Sequence, residues 1–93
     1  MTTSSLQLQK KAREFVAVAT AEERMLLVLK REVYEGSWDE MEADLRGRLE
    51  GRPYIFKLAH RISEDLERIA RLRQWETLHG MDLSEYVSLE SGR

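Results

Sequence analysis

The chain has 93 residues, 34% charged and 42% hydrophobic, with one Pro, five Gly, no Cys and a formal net charge of −2. Within it there is no disulfide, thiolate metal site or cysteine nucleophile, and the many charges with few helix breakers favour helices with solvated faces over strands or disorder. This length suits one domain over residues 1–93, whose thin stability margin would gain from self-association, and nothing ties it to an oxidising compartment, so the cytoplasm is the default location.

Residues 1–4 and 88–93 are polar and terminal, and are expected to be flexible. Lys10, Lys11 and Arg13 precede a short apolar stretch, Phe15 to Val18, which is too weak for the core of a secretory signal. The longest strongly apolar run, Met25 to Leu29, falls far short of the roughly 20 residues of a membrane span, so no membrane association is expected.

The first half allows two readings. Thr20-Ala21-Glu22-Glu23 has the form of a capping box, which would divide it into helices over 5–18 and 21–35. Against this, residues 1–35 contain neither Gly nor Pro, and Leu8, Ala12, Phe15, Ala19, Leu26, Leu29 and Val33 keep one helical phase. One long helix from Ser5 to Glu35 is the preferred expectation. Met25 to Leu29 is apolar nearly all round, which calls for cover on more than one side, either from the next helix of the same chain or from a second copy.

Gly36 ends that helix, and Ser37-Trp38-Asp39-Glu40 opens the next as a second capping box. The spacing predicts a short helix over 38–50 carrying Trp38, Met41, Leu45 and Leu49, stopped at Gly51. Pro53 suits the first turn of a long helix to His79, terminated by Gly80. Its stripe is Ile55, Leu58, Ala59, Ile62, Leu66, Ile69 and Ala70, while Trp75 and Leu78 point elsewhere, toward the segment around Leu83, Tyr86 and Val87 or toward another subunit. Asp82 or Ser84 can cap a short final helix.

Charge alternates in blocks: +2 over 1–21, −5 over 22–44, +4 over 45–73 and −3 over 74–93. The basic block, with Arg46, Arg48, Arg52, Lys57 and Arg61 foremost, is the alternative reading as a nucleic-acid face, since phosphate contacts supply most non-specific affinity. Glu64 with Arg68, and Glu67 with Arg71, have the i,i+4 spacing of an ordinary solvated helix face. The helix after Arg52 is long for a recognition helix and begins with apolar Tyr54, Ile55 and Phe56. A further use of the asymmetry is the acidic segment from Glu32 to Asp44 against a basic segment of another chain.

Glu76 and His79 have the Glu-x-x-His spacing of di-iron bundles, but those sites need two such motifs and further carboxylates, and His60 reads as a surface partner of Glu64. No glycine-rich phosphate loop or nucleophile elbow occurs. No catalytic, cofactor or metal residue is assigned and the chain is read as non-enzymatic. Aromatic and apolar anchors remain as candidate protein-interface residues: Met25, Val28, Trp38, Tyr54, Phe56, Trp75 and Leu78. The sequence therefore predicts an all-α bundle of two long antiparallel helices joined by a short one, completed by homodimerisation and acting as an adaptor, assembly or regulatory subunit that binds another protein.

Overall fold

The structure, a computed structural model, describes residues 5–51 and 56–87. Four α-helices follow one another, α1 Ser5–Val18, α2 Ala21–Glu32, α3 Trp38–Gly51 and α4 Phe56–His79, before a single 3₁₀ turn, η1, Leu83–Tyr86. The fold is all-α, with no strand among the described residues. No helix among them is long and apolar enough to cross a membrane.

The expectation of one continuous helix from Ser5 to Glu35 is overturned by a break at residues 19 and 20. Thr20 is extended, its hydroxyl accepts from the Glu23 amide at 3.1 Å, and the Glu23 carboxylate accepts from the Thr20 amide at 2.9 Å. Arg24 reaches back to the Ala19 carbonyl, so donors and acceptors exposed by the break are matched locally. A straight helix of that length would run on for roughly 46 Å, past anything the chain has to cover it. The bend lets α1 fold over the other end of the molecule, where Ala12 and Val16 are buried and Phe15 meets Trp75 with ring centroids 5.2 Å apart.

At the end of α2, Glu35 and Gly36 both take positive φ, 51° and 86°, and the Gly36 amide donates to the Lys30 carbonyl at 2.7 Å. Only half of the second capping box forms. Ser37 Oγ accepts from the Glu40 amide at 3.1 Å, whereas the Ser37 N–H donates to the Tyr34 carbonyl and leaves Glu40 facing solvent. Gly80, at φ 64°, ends α4 by donating to the Glu76 carbonyl, and Asp82 caps η1 by accepting from the Ser84 amide.

Helices α2 and α3 both pack on α4, and η1 is wedged against α1 and α2. Glu23 lies beside Arg71, while Val33 shares its surroundings with Leu58, so α2 and α4 run antiparallel. The core is Ala12, Val16, Leu26, Leu27, Trp38, Met41, Ile69, Leu72, Leu83 and Val87. Along α4 this differs from the expected stripe, since Leu72 is fully buried and Ala70 is exposed. Over the last turns α1 and η1 join the start of α3 against α4, with Phe15 on Trp75, the Leu83 amide on Glu76, and Trp38, Asp39 and Glu42 bonded to Glu76 and Arg73. Pro53 and Ile55 lie outside the described residues, as do the terminal segments expected to be flexible. The chain measures 51 × 31 × 20 Å, and its radius of gyration of 14.5 Å exceeds the about 12 Å of a compact chain this long.

Candidate interaction groove

Two features stand apart from ordinary core packing, one buried and one open. The buried one begins with Lys30, which follows Leu26 and Leu27 by one helical turn and so falls on the inner face of α2 with only 4% of its surface exposed. Its ammonium lies 3.1 Å from Glu76, 2.8 Å from Asp82 and 4.9 Å from the centre of the Trp38 ring. Glu76 also accepts from the Trp38 indole at 2.6 Å and the Leu83 amide at 2.8 Å. Burial pushes the Asp82 carboxyl up, but hydrogen bonds from Lys30 and from both the hydroxyl and amide of Ser84, with the charge of Lys30, outweigh it and hold the group below its ordinary value. Arg31 donates to the carbonyls of Ser84 and Val87 and completes the tie between α2 and η1. No buried side-chain polar atom among the described residues lacks a partner. This cluster joins α2, α3, α4 and η1.

The open feature lies on the opposite side of α2. Leu27 is fully buried, and Met25, Leu29 and Val33, spaced by four, form a ridge roughly 160–240° around the helix from it. Met25 is 57% exposed and Val33 59%. Between this ridge and α4 runs a groove open to solvent, whose two overlapping stretches hold about 530 and 390 Å³. Leu26 and Ile62 form its floor, and Leu58, with Met41 and Leu45 of α3, closes one end. The cover that Met25 to Leu29 demands comes mainly from α4 and η1, and it leaves Met25 more than half exposed.

Charges line the rim. Asp65 and Arg68 pair with each other at 2.8 Å, and Glu64 lies 3.6 Å from His60. Arg48 pairs with Asp44 at 3.2 Å, and Asp44 also accepts from the Tyr34 hydroxyl, a bond that, with burial, raises the Tyr34 pKa. Glu22 and Arg61 line the groove with no ion pair among the described residues. The i,i+4 pairs expected of Arg68 and Arg71 are replaced, because Asp65 at the groove edge takes Arg68 and the capping residue Glu23 stands 4.0 Å from Arg71. The acidic segment finds its basic counterpart within the chain, as Arg73 donates to Asp39 at 2.9 Å and Glu42 at 2.7 Å, bonds that raise its own pKa, Glu42 foremost.

The candidate interface residues do not form one surface. Met25 is on the groove, whereas Val28 packs against the core and Trp38 is buried in the Lys30 cluster. Trp75 is half-buried between Phe15 and His79, whose ring stacks on it at 4.1 Å, so its departure from the α4 stripe is explained inside the chain. Phe56 and Leu78, both exposed, sit near opposite ends of α4, roughly 33 Å apart. Tyr54 lies outside the described residues. Sequence reasoning missed Leu29, Val33, Leu45 and Leu58 as groove residues, although the spacing of Met25, Leu29 and Val33 carried the signal. Glu76 and His79 do not converge, since Glu76 turns into the buried cluster and His79 Nδ1 faces the Trp75 carbonyl at 2.9 Å. Of the basic candidates, Arg46 pairs with Glu42 and Arg48 with Asp44, Lys57 and Arg61 are exposed, and Arg52 is outside the described residues.

No protein-family model matches the chain, and no curated protein or solved structure is significantly similar to it.

Proposed function

We propose that the protein is a non-enzymatic helical binding module, an adaptor, assembly or regulatory subunit that docks an amphipathic helix of a protein partner in the groove between α2 and α4. The observation that carries this reading is the apolar ridge of exposed Met25 and Val33 with half-buried Leu29 between them, beside a groove floored by Leu26 and Ile62. A helix laid in such a groove buries its own apolar face against side chains at i, i+3, i+4 and i+7 spacing, while the rim charges set its direction. A protein partner is favoured over nucleic acid because Arg46, Arg48 and Arg73 already face acidic side chains of their own chain.

Affinity capture from the native host, comparing the wild-type protein with Leu29→Asp, tests the reading. A stoichiometric protein retained by the wild type and lost with the variant supports it. Equal retention by both, or nuclease-sensitive retention of nucleic acid alone, overturns it.

A further inference from the structure

We infer that the occupant of the groove is a second copy of the same chain, paired across a two-fold axis so that α2 of each protomer lies antiparallel to α2 of the other; this rests on the groove being a docking site. The argument is one of charge placement. On α2, Glu22 lies one turn before Met25 on the same ridge, and it has no ion pair among the described residues. Toward the other end of the groove α4 carries two basic side chains without an ion pair among the described residues, Arg61 and Lys57, against one exposed acid equally without one, Glu35, just past α2. Arg61 lines both stretches of the groove and reaches the one that holds Val33, and Lys57 precedes Arg61 by one turn on the same arc of α4.

A surface with an anionic head and a cationic tail is complementary to itself only when reversed. A two-fold axis through Leu29 sets Met25 of one copy against Val33 of the other, since both stand four residues from the centre. Glu22 then falls one turn further along, level with Arg61 and Lys57 of the opposite protomer. The isologous arrangement makes each such contact twice, and each ridge fills the other groove, covering the side of α2 that α4 and η1 leave open. A parallel arrangement would bring Glu22 against Glu22 and leave the basic ends facing each other.

Light scattering and sedimentation over about 1–500 µM test the pairing. The wild type should approach twice the chain mass at the upper end. Leu29→Asp should remain monomeric, and so should Met25→Asp, a substitution at a half-exposed site that the fold accommodates with unchanged far-UV circular dichroism. Glu22→Arg and Arg61→Glu should each raise the dimer Kd by about tenfold, since each change is made twice across the axis and exposed pairs are individually weak. The combined Glu22→Arg/Arg61→Glu protein should return close to the wild-type Kd. A dimer indifferent to Met25→Asp, or a charge swap that fails to restore pairing, overturns the inference. A wild-type monomer throughout overturns it too. If that monomer still captures a different protein through Leu29, the docking groove stands and self-pairing alone falls; if it captures nothing, both fall.

Discussion

Replacing Lys30 with Met removes a charge while keeping most of the side-chain volume, and so isolates what the buried cation does. Glu76, whose side chain is 11% exposed, would keep the Trp38 and Leu83 donors but lose its only cationic partner among the described residues. Breaking one member of such a buried pair costs about 3–5 kcal/mol, because a carboxylate out of water is left uncompensated. The link to Asp82 adds little, since that side chain is 37% exposed and solvent already screens it. A loss near 3 kcal/mol corresponds to a melting point lower by roughly 12–24 °C in a domain of this size. Thermal and urea unfolding followed by circular dichroism measures it. The second arm is Glu76→Gln in both backgrounds, which should cost clearly less when Lys30 is already Met, because the amide no longer leaves a cation unpaired. Additive effects, or a Lys30→Met midpoint within error of wild type, would refute the account. Acid gives a further check on the same cluster. The folded Asp82 pKa lies below its ordinary value of 3.8, so its contribution is fully present above that value and is lost as pH falls through the folded one.

Three other outcomes are expected. Thr20→Ala should cost about 1 kcal/mol by removing the cap of α2, whereas in an unbroken helix the same change would stabilise by a few tenths, so the sign of the shift in urea midpoint decides. Leu72→Ala should cost about 2–5 kcal/mol, and Leu78→Ala should stay within about 0.5 kcal/mol for the isolated chain; similar losses at both would show that the buried side of α4 is misassigned. Purified protein should carry no stoichiometric zinc or iron by elemental analysis, because Glu76 is committed to Lys30, Trp38 and Leu83; one metal per chain, lost on His79→Ala, would reverse that conclusion.

Helix ends were the most legible part of this chain. Gly36, Gly80, Asp82 and the Thr20 and Ser37 capping sequences each act through neighbours two to six residues away, and a local pattern can be read locally. The preference for an unbroken first helix failed because apolar phase persisted across residues 19 and 20 while the decisive bonds came from Thr20, Glu23 and Arg24 side chains. Leu72 was missed because the stripe assumed unchanging neighbours along α4, and in the fold Phe15 of α1 and Leu83 of η1 join α3 over its last turns. The need for cover around Met25 to Leu29 was visible in composition, but which side stays open depends on where α4 and η1 pack on α2. Lys30 drew no reading from the sequence, because it opens the charged run Lys30-Arg31-Glu32 and no periodicity links it to Glu76 or Asp82.

Those partners stand 46 and 52 positions along the chain from Lys30. Capping boxes and helical turns close within a few residues and form on the way up the folding barrier, whereas a cation and carboxylates so far apart meet only once α4 has docked and η1 has closed over them. Bonds absent at the barrier top slow escape from the native state without hastening arrival. The Lys30 cluster is thus expected to act as a brake on unfolding, with Lys30→Met raising the unfolding rate more than it lowers the folding rate.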